Sequence, residues 1–327
     1  MTEVLTIGRV GVDIYPLQVG VSLREVETFG KYLGGSPTNV AVAAARLGRS
    51  AAVVTRTGAD PFGLFVHDAL REYGVDDRFV TEVPGLPTPV TFCEIRPPED
   101  FPLFFYRYPK APDLVIHPEE LDLAAVREAG LFWATVTGLS QEPSRAAHFA
   151  AWRARGRAPL TVLDLDYRPM FWASAAEARE HVRAALAHVT VAVGNLEECE
   201  VATGARDPYE AGKALLDLGV ELAVVKRGSG GVLGMTAART VEVPPVPVEV
   251  VNGLGAGDAF GGALCDGLLA GRELGEMLRF ANAAGAIVAG RLACAPAMPT
   301  AAEVRAVVSG TPPRDVAGAV PPGDAHA

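Results

Sequence analysis

The segment from Gly253 to Asp258, GLGAGD, places three glycines, an alanine and a carboxylate directly before an apolar run. If that run is a helix, the N–H groups at its start carry partial positive charge and suit an anion such as phosphate. These N–H groups belong to Gly255, Ala256, Gly257 and Asp258. A carboxylate there would repel phosphate unless it accepts the proton of a hydroxyl that attacks phosphorus. The segment therefore predicts phosphoryl transfer with Asp258 as the base. The alternative is an acid that only stabilises the first helical turn.

This glycine cluster differs from two common nucleotide-binding loops. It lacks the GxxxxGK[ST] pattern of a Walker A loop, and it does not follow an early βαβ unit as a dinucleotide-binding GxGxxG motif would. The sequence thus predicts neither a P-loop enzyme nor a dinucleotide fold.

A second cluster of charged residues, DLDYRP, spans residues 164–169 at the end of a predicted strand. In parallel sheets, ligands bind beyond the carboxyl ends of the strands. Arg168 could contact either a γ-phosphate or a substrate carboxylate through two parallel hydrogen bonds. The alternative is a local Asp–Arg surface pair.

Predicted strands and helices alternate through most of the chain. The strand EVLTIG at residues 3–8 is followed by the helical segment GGSPTNVAVAAARLG at 34–48, and the same alternation continues as far as the strand ELAVVKRG at 221–228. Strands that alternate with helices of about ten or more residues indicate βαβ units around a mostly parallel sheet. No internal repeat is visible.

Residues 88–113 depart from this alternation. Apolar and polar residues alternate there in two runs around PPED, which is typical of a β-hairpin. We expect this hairpin to leave the main sheet and form a lid, with residues 13–33 as a pairing partner. An antiparallel edge of the main sheet is the alternative. Exposed aromatics on such a lid would require cover from a ligand or a second subunit.

The composition indicates a soluble globular protein and excludes several functions. The net charge of −10 argues against binding to nucleic acids or anionic membranes, and no apolar run approaches the ~20 residues of a membrane span. The start of the chain lacks the basic region of a signal peptide, so we expect a cytoplasmic protein. The four cysteines are widely spaced, and the six histidines show no zinc-site spacing.

Two segments carry a resemblance to a known family. NGLGAGDAFGG and GGSPTNVAVAAARLG resemble the two signatures of the ribokinase-type (phosphofructokinase-B) carbohydrate kinases, in the right order. The resemblance covers essentially residues 3–308. It implies a ribokinase-like three-layer αβα fold with a mostly parallel central sheet and a small β lid. It also implies an ATP-dependent sugar kinase that uses Mg²⁺.

The resemblance assigns roles to further residues. It implies that Gly255, Ala256 and Gly257 form the anion hole beside the base Asp258. The substrate-binding residues that it implies or suggests are Asp13, Gly34, Gly35, Asn39, Arg107 and Arg168. On the ATP side it implies Asn195, Lys226, Gly228, Gly231 and Asn282, with Glu198 holding Mg²⁺ through water. For Asn195 and Glu198 the alternative is ordinary helix capping.

Within the family, TPVTFCEIRPPEDFPLFFYR, DLDYRPMFW and VNGLGAGDAFGG resemble the 5-dehydro-2-deoxygluconokinases of inositol catabolism. The expected reaction is therefore phosphorylation of the terminal hydroxyl of a keto-deoxy sugar acid, with Arg107 and Arg168 on its carboxylate. The alternatives are 2-dehydro-3-deoxygluconate kinase, fructokinase, a nucleoside kinase and a non-catalytic sugar-binding protein.

The resulting expectation is a kinase domain over residues 1–308, with a lid from about 14–33 and 88–110 and a flexible tail at 309–327. We expect a homodimer formed through the lid. Many family members have Asp in place of Asn252, in a loop that often helps to hold a monovalent cation, so potassium (K⁺) is a possible further cofactor.

Overall fold

The computed structural model describes residues 2–310. The predicted tail at 309–327 falls almost entirely outside the described residues. In chain order the strands are β1 (Val4–Ile7), β2 (Gly11–Pro16), β3 (Phe29–Gly34), β4 (Ala51–Gly58), β5 (Val75–Asp76), β6 (Val80–Val83), β7 (Val90–Cys93), β8 (Leu103–Tyr106), β9 (Leu131–Thr135), β10 (Thr161–Asp164), β11 (Val191–Asn195), β12 (Leu222–Lys226), β13 (Val232–Met235) and β14 (Thr240–Val243).

The helices lie between these strands and after them. They are α1 (Ser36–Arg46), α2 (Pro61–Glu72), α3 (Leu123–Glu128), α4 (Ser144–Arg155), α5 (Ala175–Leu186), α6 (Leu196–Thr203), α7 (Pro208–Asp217), α8 (Ala256–Leu269), α9 (Leu274–Ala289) and α10 (Ala301–Val308).

The main sheet has the strand order β14-β13-β12-β11-β10-β9-β1-β4-β5, and β6 pairs with β4. The pairs from β12 through β4 are parallel, whereas β13 and β14 add an antiparallel edge. Strands of a parallel sheet are buried on both faces, and β1 and β9 consist entirely of buried residues. The predicted mostly parallel α/β fold is confirmed.

Two apolar clusters lie on opposite faces of this sheet. On β9, Trp133 belongs to the cluster that includes residues of α1, α8, α9 and α10, while its neighbours Phe132 and Ala134 belong to the cluster with residues of α4, α5 and α7. Successive side chains of a strand point to opposite faces, so β9 contributes to both clusters. The sheet therefore lies between two helical layers.

A second sheet, with the order β3-β2-β7-β8, stands apart from the main sheet; we call it the lid. Its pairs β2–β3 and β7–β8 are antiparallel, but β2 and β7 are parallel. The lid thus combines two separate segments of the chain. A small buried cluster of Tyr15, Cys93, Ile95, Ala293 and Cys294 joins it to the loop after α9.

Among residues 2–310, no helix is both long and apolar enough to cross a bilayer.

Candidate active site

A cavity lies between the lid and the edge of the main sheet where the parallel strands end. Strands β10, β11 and β12 end at Asp164, Asn195 and Lys226, and all three residues line the cavity. The lid contributes residues of β2, β7 and β8, and the start of α8 forms another wall. Neighbouring parallel strands bring their terminal side chains to one edge, so residues distant in sequence converge here.

The start of α8 is shaped for close approach of an anion. Its N-cap, Gly255, has φ of 81°, and an added Cβ would lie 2.6 Å from the Sγ of Cys294. A Cβ at Gly257 would lie 3.3 Å from the Nζ of Lys226. The first N–H groups of a helix have no partner within the helix. A lysine ammonium and free N–H groups therefore meet at one point, as a phosphate site requires.

Asp258 lies in the first turn of α8 and is held by two hydrogen bonds from α1. The hydroxyl of Ser36 donates to Oδ1 at 2.8 Å, and the side-chain amide of Asn39 donates to Oδ2 at 2.8 Å. Burial raises the pKa of Asp258, although the hydrogen bond from Asn39 opposes this. A carboxylate with a raised pKa is better matched to accept a proton near neutral pH.

Asn39 also presents an unused acceptor. Its Oδ1 is buried and has no hydrogen-bond partner in the described part of the chain, and the residue lines the cavity. A buried acceptor without a partner is costly. A substrate hydroxyl beside Asp258 would satisfy it.

Asp13, on β2 of the lid, lies on the cavity wall. Its Oδ2 accepts a hydrogen bond of 3.1 Å from Tyr15, whose hydroxyl also lies 2.8 Å from the Sγ of Cys294. Burial raises the pKa of Asp13 to about 6, while the charge of Arg9 opposes the shift. A Cβ at Gly34 would lie 2.2 Å from Oδ1 of Asp13, so glycine at position 34 makes room for this carboxylate.

Acids surround Arg168 on the opposite wall. Its guanidinium forms ion pairs with Asp166 at 2.7 Å and Glu198 at 3.5 Å. The charge of Asp166 is the largest cause of the raised pKa of Arg168. Asp166 is nearly fully buried, so this pair is part of the site wall and not the surface pair that the sequence left open.

Asn195 and Glu198 form a capping box at the start of α6. Oδ1 of Asn195 accepts from the backbone N–H of Glu198, and Oε2 of Glu198 accepts from that of Asn195. Capping therefore uses the single side-chain oxygen of Asn195 and one of the two of Glu198, whose Oε1 lies 3.5 Å from Arg168, and both residues line the cavity. The remaining oxygen of Glu198 and the carboxylate of Asp164 suit Mg²⁺ held through water. Within residues 2–310 no three acidic, histidine or cysteine side chains cluster as a ready-made metal site.

Charge is concentrated around Lys226 and Asp164. Burial raises the pKa of Asp164, opposed by Lys226. Burial disfavours the charged form of Lys226, but the carboxylates of Asp164 and Glu198 outweigh this effect and raise its pKa. Both shifts are consequences of enclosing opposite charges in one small space.

The structure does not bring every predicted residue to the cavity. Arg107 is the clearest correction, because its guanidinium contacts Asp113 at 2.6 Å and lies over the ring of Phe171. Asp113 is almost fully buried, so the two charges neutralise each other away from the cavity lining. The other predicted residues outside that lining are Gly34, Ala256, Gly228, Gly231 and Asn282.

Two of these residues have other structural tasks. Gly231 has φ of 82°, and an added Cβ would lie 2.1 Å from the carbonyl oxygen of Val243. Asn282 donates from Nδ2 to the carbonyl of Pro244 at 2.8 Å. Gly231 and Asn282 therefore contact the end of β14 and the residue that follows it.

The loop at Asn252 is poorly suited to a potassium ion. Asn252 is fully buried, its Nδ2 donates to the carbonyl of Leu292 at 2.7 Å, and its Oδ1 accepts from the N–H of Leu254 at 3.0 Å. The side chain is neutral, both ends of the amide are in use, and an N–H group already occupies the Leu292 carbonyl. These residues do not fit a monovalent cation at this position.

Sequence reasoning missed several cavity residues. Arg9, Ser36, Asp164 and Cys294 line the cavity but were not predicted as site residues. Asp164 ends β10 and Arg9 lies two residues after β1, so both are near the carboxyl ends of parallel strands, a position that could have identified them. Ser36 follows two glycines at a helix start, another visible signal. Cys294 lies in an irregular loop with no comparable pattern.

Comparison with known proteins agrees with this geometry. The family model described as pfkB family carbohydrate kinase matches residues 1–301. The chain is 34% identical to a 5-dehydro-2-deoxygluconokinase of Shouchella clausii, covering 94% of this chain and 95% of that protein. It is 30% identical to a protein of the same name from Listeria monocytogenes, and the match covers 94% of this chain and 96% of that protein.

A solved structure extends the comparison to three dimensions. The chain superimposes with a TM-score of 0.82 on a fructokinase of Vibrio cholerae bound to fructose, ADP and a potassium ion. The two share 26% identity, with 94% of this chain and 98% of the other covered. The likeness therefore spans almost the whole of each chain.

Proposed function

Since this chain belongs to the pfkB family of carbohydrate kinases and is a sugar kinase, we propose that it phosphorylates the terminal hydroxyl of 5-dehydro-2-deoxy-D-gluconate. The phosphate donor would be ATP, and the product the 6-phosphate. The observation that supports the chemistry is the placement of Asp258 beside an anion site in a cavity. The choice of substrate rests on the names of relatives that match over nearly their whole length.

In the proposed reaction, Asp258 accepts the proton of the substrate hydroxyl as its oxygen attacks the γ-phosphorus of ATP. The bond to the ADP oxygen breaks, and the proton remains on Asp258 until the product leaves. The N–H groups at the start of α8, including those of Gly257 and Asp258, would stabilise the charge on the transferred group. Lys226 would neutralise charge on the phosphates from the side of β12.

Mg²⁺, when bound with ATP, would neutralise charge on the phosphates. Glu198 would hold it through water, together with Asn195 and Asp164, because all three line the cavity. Asp13 and Asn39 would bind substrate hydroxyls, because both offer acceptors on the cavity wall. We include no potassium ion in this mechanism.

The outer face of the lid supports a proposed homodimer. Tyr106 is 62% exposed and Phe104 43% exposed, both on the edge strand β8, and Phe29 on the opposite edge is 38% exposed. An exposed edge strand with aromatic side chains favours pairing with another chain. Sedimentation of the wild type and of Tyr106→Lys would test this, since we expect a dimer that the lysine weakens.

A panel of acceptors tests the proposed substrate. ADP release would be measured with the keto-deoxy acid, 2-dehydro-3-deoxygluconate, fructose and a nucleoside, all at matched concentrations. We expect the highest kcat/KM for 5-dehydro-2-deoxy-D-gluconate. Its product would then enter inositol catabolism in the cytoplasm. A preference for fructose would replace this assignment with a fructokinase, which the resemblance to the fructose-bound structure favours as second candidate.

A further inference from the structure

We propose that Arg9 binds the carboxylate of the acid substrate and selects acids over neutral sugars. This inference rests on the proposed function and names a specificity residue for the same site. Arg9 lies two residues after the end of β1 and lines the cavity, and its side chain is only 11% exposed. The carbonyl of Arg9 accepts a hydrogen bond of 3.2 Å from the hydroxyl of Thr38 on α1. The main chain at Arg9 is therefore hydrogen-bonded to α1, the helix whose Ser36 and Asn39 donate hydrogen bonds to Asp258.

Among the residues that the structure describes, the Nε of Arg9 lacks a hydrogen-bond acceptor, although the charge of Arg9 acts on the carboxylates of Asp13 and Asp258. Within the described residues its Nε is buried and has no hydrogen-bond partner. The carboxylate of Asp166 lies 3.8 Å from Nε, which is too far for a hydrogen bond. A buried donor on an arginine that no acceptor satisfies is costly, so an anion that enters the cavity would gain a charge-assisted contact.

The other cations of the cavity have a closer carboxylate partner or lie at the expected phosphate site. The guanidinium of Arg168 is held at 2.7 Å by Asp166, although its Nε, like that of Arg9, has no hydrogen-bond partner within the described residues. Lys226 lies next to the start of α8, where the phosphates are expected. Arg107, the lid arginine, is neutralised by buried Asp113. Arg9 is therefore the cation best placed to bind a negative charge on the sugar substrate, apart from the phosphates of ATP.

The lid orients this guanidinium. The ring of Phe105 on β8 lies 5.5 Å from the Cζ of Arg9 and also lines the cavity. An aromatic ring that packs on the face of a guanidinium leaves the in-plane N–H groups directed sideways, where they match the two oxygens of a carboxylate. Because Phe105 belongs to the lid and Arg9 follows a strand of the main sheet, this pair lies on the sugar side of the cavity.

Steady-state kinetics of Arg9→Gln would test the inference. The two acceptors would be the keto-deoxy acid and its neutral analogue with a hydroxymethyl group in place of the carboxylate. A lost charge-assisted contact corresponds to roughly a ten- to hundred-fold rise in KM. We expect this rise in KM for the acid and a much smaller change for the analogue. For Arg9→Lys we expect an intermediate rise in KM for the acid, because lysine keeps the positive charge but lacks the two parallel N–H donors of a guanidinium.

Arg107→Gln is the matched control, because it removes a guanidinium that pairs with Asp113 outside the cavity lining, and it should leave the ratio of the two KM values unchanged. Calorimetric titration of Arg9→Gln with the acid alone gives a readout independent of turnover, and we expect weaker binding. Equal losses on acid and analogue would overturn the inference while leaving the kinase function intact. A wild type that prefers the neutral analogue would overturn the proposed substrate itself.

Discussion

The side-chain amide of Asn39 on α1 donates a hydrogen bond of 2.8 Å to the carboxylate of Asp258 on α8. The second carboxylate oxygen receives the hydroxyl of Ser36 from the same helix at 2.8 Å. Two donors from one helix thus fix the orientation of the proposed base. They also stabilise its charged form, which burial disfavours.

Loss of these donors should move the pH dependence of turnover. In Asn39→Ala and Ser36→Ala the carboxylate of Asp258 loses a hydrogen bond that lowers its pKa. The acid limb of the kcat profile should therefore shift to higher pH, because the base becomes protonated earlier as pH falls. Measured kcat at pH 6.5 should fall more than kcat at pH 9. A uniform loss at all pH values would show that these residues do not set the protonation of the base.

Removal of the base itself should have a larger effect. We expect Asp258→Asn to lower kcat by roughly two or more orders of magnitude while ATP still binds, as loss of a general base should. Asp217→Asn, at the exposed end of α7, is the control with the same chemical change. Rapid-quench or steady-state kinetics, with calorimetry for ATP, would measure both. Turnover of Asp258→Asn close to that of the wild type would remove this residue from the mechanism.

Asp13 should make the free energy of unfolding depend on pH. Its folded pKa of about 6 exceeds the ordinary value of 3.8, so the native state binds more protons than the unfolded chain between those two pH values. Stability should fall as pH rises through this window and stay lower above it. Asp13→Asn removes that fall, so at pH 8 the variant should gain at most about 3 kcal/mol relative to the wild type.

Urea denaturation at pH 4.5 and pH 8 would measure this difference. The same variant should bind the sugar more weakly, because a neutral amide replaces a charged acceptor. Asp100→Asn, on the exposed turn between β7 and β8, serves as the control and should show no gain at pH 8. A stability difference that is independent of pH would contradict the expected titration of Asp13.

Potassium should not activate this enzyme. The amide of Asn252 donates to the carbonyl of Leu292, and this neutral side chain brings no negative charge to the loop. We expect the same kcat in potassium, sodium and tetramethylammonium salts at equal ionic strength. Asn252→Asp would place a carboxylate against that carbonyl and should create a dependence on potassium. Strong activation of the wild type by potassium alone would exclude this account.

Local patterns predicted much of the fold. The alternation of residues 88–113 indicated the strands β7 and β8, and the glycines before α8 indicated both the helix start and the position of Asp258. These features depend on residues that are close together in the sequence, so a local sequence pattern is enough to predict them. The parallel pairing of β2 with β7 depends on contacts between distant segments, so the sequence indicated a partner for the hairpin but not its direction.

The arginines show where sequence reasoning stopped. Arg107 lies among lid aromatics, and nothing in its local pattern reveals that Asp113 turns back to pair with it. Arg9 lies two residues beyond the end of β1, and the lack of a partner for its Nε among the described residues becomes visible only in the structure, where Asp166 lies 3.8 Å away. The positions of Asp113 and Asp166 decide which arginine remains available for a substrate carboxylate. Spacing along the chain does not determine those positions.

The two-segment lid has a consequence for engineering substrate range. Asp13 lies on β2 and β3 leads directly into α1, so changes in these strands would disturb Asp13 and the donors to the base. The hairpin of β7 and β8 instead contributes Thr91, Leu103 and Phe105 to the cavity but no hydrogen bond to Asp258. Residues 90–106 are therefore a segment that could be exchanged. A hairpin of equal length from another sugar kinase could replace it and change the accepted sugar, while Asp258 and its hydrogen-bond donors stay in place.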